Sequence, residues 1–215
     1  MQPYKQQFIE FILSIGVLRF GEYKLKSGRL SPYFFNSGRV NTGAALAKLG
    51  HYYAQALISS GIEFNGLFGP AYKGIPIVTA TAIALAHQNE MDVPYSFNRK
   101  EAKQHAEGGV IVGAPLAGHL MILDDVISAG SSIVESVQQI ESAEAQAAGA
   151  VIALDRQERG QGEQSAVQEL EQRLGLPIIS IITLSDLLEY LRLTPGLEPH
   201  LEKMYRYRQT YGVQA

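Results

Sequence analysis

The residues best suited to chemistry lie in the stretch 120–133, where an apolar run leads into two adjacent acids and a turn of small residues. The acids are Asp124 and Asp125, and the turn is Ser128-Ala129-Gly130-Ser131-Ser132. Small residues let backbone N–H groups approach an anion, and a helix predicted to begin at Ser131 adds its N-terminal donors. Carboxylates repel a bare phosphate, so they must face hydroxyls or a metal ion. The stretch therefore predicts a sugar-phosphate site. The alternative is an ordinary strand-end acid cluster, as in receiver domains, or aspartates that cap a turn.

A second candidate segment, 69–76, reads Gly-Pro-Ala-Tyr-Lys-Gly-Ile-Pro and follows another predicted strand. A glycine on each side of Tyr72-Lys73 leaves the backbone open to a ligand. Lys73 supplies a point charge suited to phosphate. The alternative is a plain strand-to-helix turn that carries a surface lysine.

A third segment, 98–109, contains four potential cations within seven positions and closes with two glycines. The cations are Arg99, Lys100, Lys103 and His105. A mobile cationic loop could close over a diphosphate, expel water and strengthen local electrostatics. The alternative is a solvated surface loop.

Two further regions could bind an aromatic, acid-bearing base. Phe34 and Phe35 are adjacent on a predicted strand, so their side chains point to opposite faces and only one can cover a ring. An aromatic core would explain both, whereas Lys26 is harder to explain as core. Arg156 follows the strand predicted at 149–154, and its guanidinium could fork onto a carboxylate. The alternative for Arg156 is a surface loop with ion pairs to Glu158 or Glu163.

These segments can meet only if the elements before them form a common sheet. Apolar strands alternate with amphipathic helices, which predicts an α/β fold with a doubly covered, mainly parallel, five-stranded sheet. A small N-terminal antiparallel and helical cap covers about 1–40, the core covers about 41–215, and together they make a single domain. Ligands of such sheets bind at the carboxyl ends of the strands. The predicted strands are 64–69, 93–97, 120–125, 149–154 and 177–182, and the predicted helices are 3–15, 44–60, 74–88, 131–147, 163–174, 185–192 and 197–210.

Composition narrows the classes of function. The chain has 215 residues, 46% hydrophobic, with a net charge of −3, so nucleic acid is not expected as its partner. The basic and aromatic residues at 205–208 are expected to form a solvated or packed helix surface. No cysteine is present, which excludes disulfides and suits a reducing cytoplasm. No apolar run approaches membrane-spanning length.

Taken together, these motifs resemble the bacterial orotate phosphoribosyltransferases, a family of type I phosphoribosyltransferases. The resemblance runs from the N-terminal helix to about residue 212. Its most specific parts are Lys-Ser-Gly-Arg at 26–29, the segments 69–74, 98–109 and 120–133, and Leu-Asp-Arg-Gln-Glu-Arg-Gly at 154–160. One departure is visible, because the family commonly has Thr-Ala-Gly-Thr where this chain has Ser128-Ala129-Gly130-Ser131. Serine keeps the hydroxyl, so hydrogen bonding is retained.

The resemblance implies an enzyme of pyrimidine synthesis that makes orotidine 5′-monophosphate and pyrophosphate from orotate and phosphoribosyl pyrophosphate (PRPP). It also implies Mg²⁺ held mainly by PRPP oxygens and water, a cytoplasmic homodimer with shared active sites, and a non-proline cis peptide within 70–74. The residues implied to contact PRPP are Lys26, Tyr72, Lys73, Lys100, Asp124, Asp125, Val126, Ile127, Ser128, Ala129, Gly130, Ser131 and Ser132, with Arg99, Lys103 and His105 reaching in from the partner subunit. Those implied to contact orotate are Lys26, Phe34, Phe35, Ser128 and Arg156. The main catalytic roles fall to Lys26, Lys73, Lys103, His105, Asp124 and Asp125.

Three other functions share part of this pattern. A purine or uracil phosphoribosyltransferase has the 120–133 signature but does not require Lys26 and Arg156 together. A non-catalytic PRPP-binding regulator has no need of the cationic loop. A receiver-type signalling domain leaves the loop unexplained.

Overall fold

The computed structural model describes residues 1–25, 27–103, 109–127, 130–160 and 162–213, without the side chains of residues 102 and 103. Its helices are α1 (Pro3–Ser14), α2 (Gly43–Ser60), α3 (Gly74–Asn89), α4 (Ser131–Ser142), α5 (Ala166–Leu174), α6 (Leu184–Leu193) and α7 (Glu198–Tyr211). Its strands are β1 (Leu18–Lys24), β2 (Leu30–Phe35), β3 (Gly66–Gly69), β4 (Tyr95–Lys103), β5 (Gly109–Gly113), β6 (His119–Leu123), β7 (Gln146–Asp155) and β8 (Ile178–Thr183). A short 3₁₀ turn, Ser37–Arg39, lies between β2 and α2.

The main sheet has the strand order β5-β4-β3-β6-β7-β8. Neighbouring strands from β4 to β8 are parallel, and β5 pairs antiparallel with β4. The predicted α/β class and mainly parallel sheet are confirmed. The predicted number of five strands is wrong, because Gly109–Gly113 forms a sixth strand at the edge.

The segment 98–109 also differs from its prediction as a loop. Strand β4 continues to Lys103, and β5 begins at Gly109, so the two ends of the segment belong to an antiparallel hairpin. The register shifts between Asn98 and Lys103, where the pairing is irregular. Sequence patterning missed this extension because it pairs only with the edge strand β5, and polar and charged residues in such a hairpin look like a loop.

The core lies on both faces of the sheet. In β6, Met121 and Leu123 belong to the apolar cluster that contains α1, α2 and α3 residues. Leu120 and Ile122 alternate with them and pack in the opposite cluster, with α4 and α5. Burial of each large apolar side chain stabilises the fold by ~1.5–3 kcal/mol. This two-sided burial explains the unbroken apolar run that precedes the acid pair.

Helix α4 is shorter than predicted. It ends at Ser142 because Glu144 takes a left-handed φ of 60° and the Ala145 N–H turns back to the Ile140 carbonyl at 3.2 Å. Strand β7 then begins at Gln146, three residues before its predicted start.

The N-terminal cap is a two-stranded antiparallel hairpin of β1 and β2. Its fully buried Tyr33 contacts Tyr207 of α7 edge-on, with ring centroids 6.3 Å apart. The cap and the C-terminal helix therefore pack together. Within the described ranges, no helix combines the length and the apolar character needed to cross a membrane.

Candidate active site at the carboxyl ends of the strands

The acid pair lies directly after β6 and is largely buried, with Asp124 8% and Asp125 6% exposed. Asp124 Oδ1 accepts a hydrogen bond from the Asp125 N–H at 2.9 Å, and its Oδ2 accepts one from Ser132 Oγ at 2.7 Å. The Tyr53 hydroxyl donates to the Asp124 carbonyl oxygen at 2.7 Å. These contacts fix the carboxylate of Asp124 against the first turn of α4.

Burial raises the pKa of Asp124, because a low-dielectric surrounding disfavours the charged carboxylate. The hydrogen bonds from Ser132 and from the Asp125 N–H oppose that rise, and the negative charge of Asp125 adds to it. The protein therefore holds a carboxylate in a place that is unfavourable for it. Such placement is typical of functional sites.

Asp125 is contacted by two residues that are distant in sequence. Lys73 Nζ lies 2.5 Å from Asp125 Oδ2, and Ser37 Oγ donates to the same oxygen at 2.7 Å. The structure thus brings Lys73 to the acid pair, as the strand-end argument predicted. Ser37 was not predicted, and a serine in the short turn after β2 gave no sequence signal.

The segment 69–76 is built by close backbone approach. A Cβ on Gly69 would lie 2.4 Å from the Gly74 carbonyl oxygen, and a Cβ on Gly74 would lie 2.8 Å from the Leu123 carbonyl oxygen. Only glycine fits at either position, which places the loop against the end of β6. The Ala71–Tyr72 peptide bond is cis, as the resemblance implied.

Tyr72 and Lys100 lie next to each other at the rim of this loop. The Tyr72 side chain is 67% exposed, and Lys100 Nζ lies 5.0 Å from the centroid of its ring. Arg99, the neighbour of Lys100 on β4, is half-buried. The start of the cationic segment 98–109 therefore lies beside the loop 69–76.

Asn98 connects this loop to α4 and was missed by sequence reasoning. Its Oδ1 accepts from the Ala71 N–H at 2.6 Å, and its Nδ2 donates to Gln139 Oε1 at 3.1 Å. The side chain is only 9% exposed. A polar residue directly after the alternating run Tyr95-Ser96-Phe97 was the available signal.

The turn after the acid pair ends at Gly130, which has a left-handed φ of 70°. A Cβ there would lie 2.4 Å from Leu170 Cδ1, so a larger residue would collide with α5. Helix α4 then begins at Ser131 without a side-chain cap from Gly130. Its first N–H groups are thus suited to an anion. Val126 and Ile127 are half-buried and pack against opposite apolar clusters, so their side chains support the turn.

Arg156 follows the carboxyl end of β7. This end of the strand lies next to the acid pair, because the Ala153 N–H donates to the Asp125 carbonyl oxygen at 2.8 Å. Arg156 Nε and Nη2 lie 2.8 Å and 2.6 Å from Glu158 Oε1. The ion pair with Glu158 that was considered as an alternative is therefore present. The arginine is nevertheless not a surface residue, because its side chain is only 20% exposed.

Burial on its own would lower the pKa of Arg156, but Tyr33 and Glu158 outweigh it and the pKa is raised. The pKa of the Tyr33 hydroxyl is itself raised by burial, so that tyrosine stays neutral. Of the neighbours that raise the pKa of Arg156, the carboxylate of Glu158 is therefore the one that carries a charge.

Phe34 and Phe35 point to opposite sides of the cap hairpin, as strand geometry predicted. Phe35 packs against the main apolar cluster. Phe34 instead stacks on Tyr23, with ring centroids 5.3 Å apart. Of the two phenylalanines, Phe35 is therefore the one that packs against the core, and Phe34 is not part of it. Four residues with predicted contacts lie outside the described part of the chain: Lys26, His105, Ser128 and Ala129. The side chain of Lys103 lies outside it as well.

The family model for the phosphoribosyl transferase domain matches residues 38–174, which is more than half of the chain. The chain belongs to the phosphoribosyltransferase family.

Relatives that match over the full length of the chain show which member of the phosphoribosyltransferase family it is. The chain is 58% identical to the orotate phosphoribosyltransferase of Pseudomonas putida W619 and 59% identical to that of Cronobacter sakazakii, each over 99% of this chain and 100% of the relative. The crystal structure of orotate phosphoribosyltransferase from Francisella tularensis matches with a TM-score of 0.87 and 43% identity, covering 96% of this chain and 99% of that one. The chain is thus of the orotate phosphoribosyltransferase type, a glycosyltransferase-type enzyme of pyrimidine biosynthesis. The family predicted from the sequence is confirmed.

Proposed function

We propose that the residues around the acid pair bind the ribose 5-phosphate part of PRPP and pass it to orotate, with release of pyrophosphate. The observation that carries this assignment is the shared contact at Asp125, where Lys73 and Ser37 meet one carboxylate oxygen. Three separate segments are joined there at the carboxyl ends of the strands. In this assignment Asp124 and Asp125 bind the ribose hydroxyls, and the turn 126–132 binds the 5′-phosphate through its backbone N–H groups.

The chemistry follows from the charges. Bond breaking at the anomeric carbon of the ribose leads bond making, so positive charge grows on the ring and negative charge on the departing diphosphate. The buried carboxylates of Asp124 and Asp125 favour the cationic ring. The neighbouring cations stabilise the leaving group: Lys73, Arg99, Lys100, Lys103 and His105. Orotate supplies a ring nitrogen that is readily deprotonated, so no strong protein base is needed. Catalysis is chiefly positioning and preorganised electrostatics.

The residues present also fit Mg²⁺ as a cofactor that PRPP brings with it. Asp124 and Asp125 offer the hard oxygens that Mg²⁺ prefers. In the part of the chain that the structure describes, however, no group of three or more His, Cys, Asp or Glu side chains could hold a metal ion. We assign most of its ligands to PRPP oxygens and water. Bound Mg²⁺ supplies neutralisation of charge on the diphosphate.

The base is assigned to the cap side of the site. Arg156 contacts the carboxylate of orotate, Phe34 covers its ring, and Lys26 and Ser128 contribute polar contacts. Phe35 has a packing role instead, because it contacts the apolar core.

The assembly and location belong to the same proposal. A single domain spans 1–215, with a cap of about 1–40 on a core of about 41–215, and two copies form a homodimer. Arg99, Lys103 and His105 act in the partner's site, which the resemblance of 98–109 to the family's catalytic loop supports. A cytoplasmic location is supported by the lack of cysteine.

A subunit-mixing experiment tests the shared site. Lys103→Ala and Lys73→Ala chains are each expected to have little activity with PRPP, Mg²⁺ and orotate. After random mixing, one site in each heterodimer is intact, so ~one quarter of wild-type activity should return for a two-fold symmetric dimer. A Lys48→Ala chain, altered on an exposed face of α2, is the matched control and should retain full activity alone. No recovery in the mixture would place each site within one subunit.

A panel of bases tests the substrate assignment separately. Orotate, uracil, adenine and hypoxanthine are offered with PRPP and Mg²⁺, and consumption of each base is followed. Only orotate should be consumed at an appreciable rate. Preferred consumption of another base would contradict the roles given to Arg156 and Phe34.

A further inference from the structure

Glu158 lies between two arginines at the edge of the base site. Its Oε1 is contacted by Arg156 Nη2 at 2.6 Å, and its Oε2 lies 3.6 Å from Arg29 Nη1. All three side chains are largely shielded, with exposures of 20% for Arg156, 12% for Glu158 and 25% for Arg29. The group therefore has two positive charges and one negative charge, and its net charge is +1.

The hydrogen bonds of Arg156 fix which edge of its guanidinium is used. Nε and Nη2 face Glu158, and Nη2 also donates to Ser31 Oγ at 3.1 Å. Among the described residues, these contacts leave the N–H groups of Nη1 for another acceptor. Ser31 is held in place because its own hydroxyl donates to the Tyr33 carbonyl oxygen at 2.7 Å.

Three tyrosine rings pack around the two arginines. The Arg156 guanidinium lies 4.2 Å from the centroid of Tyr33, and the Arg29 guanidinium lies 4.9 Å from that of Tyr211. Tyr207 links the two, with its ring centroid 6.3 Å from Tyr33 and 5.0 Å from Tyr211. The cap and the end of α7 thereby hold the group as a unit.

Arg29 is also fixed to the loop that follows β7. Its Nη2 donates to the Arg159 carbonyl oxygen at 3.0 Å. The adjacent Glu158 pairs as a bridge with Gly212, just beyond α7. The charge of Arg29 is thus held on the side of Glu158 opposite Arg156.

We propose that Arg29 is a positioning residue that sets the charge of the base-carboxylate subsite. The inference rests on the proposed contact between Arg156 and the carboxylate of orotate. With Glu158 alone, Arg156 would be neutralised, and an incoming carboxylate would face a pair with no net charge. Arg29 offsets Glu158 and leaves one uncompensated positive charge for the substrate. Glu158 orients the guanidinium of Arg156. Arg29 offsets the negative charge of Glu158, so the guanidinium still attracts the substrate carboxylate.

A series of charge-neutralising variants tests this proposal by steady-state kinetics. Arg29→Gln should raise the KM for orotate by about tenfold, the order expected for one charge acting over several ångströms at an effective dielectric constant of about 20. The kcat and the KM for PRPP should change less than about twofold, because the ribose phosphate site is unaltered. Glu158→Gln keeps a side-chain acceptor for Nε, so its KM for orotate should stay equal to or below that of the wild type.

The double variant Arg29→Gln/Glu158→Gln gives the sharpest result. It restores the net charge of +1, so its KM for orotate should return to within about threefold of the wild type. A purely structural role for Arg29 predicts no such rescue. The matched control is Arg159→Gln, which removes a cation from the same loop and should leave the KM for orotate unchanged. The Arg159 side chain donates to the Thr210 carbonyl oxygen and not to Glu158.

The outcomes separate this inference from the proposed function. Arg156→Gln should raise the KM for orotate strongly, and an unchanged value would overturn the assignment of Arg156 itself. An effect at Arg156 without one at Arg29, or without rescue in the double variant, would overturn only the role of Arg29. Circular dichroism shows whether each variant folds. If Arg29→Gln does not fold, a rise of more than about fivefold for Glu158→Gln alone would overturn the charge argument.

Discussion

The ammonium group of Lys73 lies 2.5 Å from Asp125 Oδ2, although the two side chains differ greatly in exposure. The lysine is 58% exposed, and the aspartate is 9% exposed. The lysine side chain can therefore leave this contact while the acid remains in place. In the proposed site, that movement would bring the ammonium group to the diphosphate of PRPP.

The first prediction concerns this lysine. Lys73→Gln should lower kcat/KM for PRPP by ~10²-fold, the usual loss when one well-placed charge on a leaving group is removed. Steady-state assays at saturating orotate measure it. Lys48→Gln removes an exposed lysine whose ammonium lies 5.9 Å from the ring of Phe11, and it should leave the rate unchanged. Equal rates for both variants would remove Lys73 from the diphosphate site.

The second prediction concerns the buried acid. Because burial raises the pKa of Asp124, the folded chain binds a proton more tightly there than the unfolded chain does. This contribution to stability falls as pH rises from the unfolded pKa through the folded one, and the cost is fully present above the folded pKa. Asp124→Asn should therefore raise the melting temperature at pH 7. It should also abolish activity, because it removes the carboxylate that the proposed function assigns to the ribose.

Thermal unfolding at several pH values measures this second effect. A gain of ~1 kcal/mol would appear as about 2–4 °C in a chain of this length. The advantage of asparagine should shrink as pH is lowered and Asp124 becomes protonated in the wild type. Asp125→Asn is the comparison, since it breaks the ion pair with Lys73 and should not stabilise the chain. A melting temperature lowered by Asp124→Asn at pH 7 would show that its hydrogen bonds outweigh its burial.

The third prediction concerns Asn98, which joins the 69–76 loop to α4. Asn98→Ala leaves the partly buried Ala71 N–H without its acceptor, at a cost of about 1 kcal/mol in unfolding free energy, the lower end of the range for an unsatisfied buried group. The KM for PRPP should rise, because the loop that carries Lys73 loses its anchor. Gln139→Ala removes only the second contact of Asn98 and should have the smaller effect on both quantities. Urea unfolding and PRPP titration measure them, and equal effects would assign the anchor to α4 rather than to the loop.

The fourth prediction separates the two adjacent phenylalanines. Phe35→Ala should lower the unfolding free energy towards the smaller end of the ~3–5 kcal/mol seen for aromatic core truncations, because the side chain is half-buried. Phe34→Ala should change stability less and raise the KM for orotate. Parallel unfolding and kinetic measurements compare the two. A larger rise in the KM for orotate with Phe35→Ala would reverse the assignment of faces.

The sequence by itself determined the family, the α/β class and the local chemistry of each segment. An apolar run followed by Asp124 and Asp125 requires a buried strand that ends in an acid pair, and a turn of small residues requires an exposed backbone. These features are local, so spacing and residue type suffice to predict them. The edge strand β5 and the extension of β4 were not predicted, because pairing at a sheet edge depends on a partner strand rather than on local pattern.

The tertiary structure decided which side chains meet. Ser37 contacts Asp125 from 88 positions away, and Arg156 contacts Ser31 from 125 positions away. Neither contact has a sequence signal, because each depends on how the cap closes over the sheet. In the proposed base subsite, the net charge likewise depends on three residues taken together, Arg29, Arg156 and Glu158. Sequence supplies the charges, but only the fold sets the distances over which they act, and electrostatic energy depends on those distances.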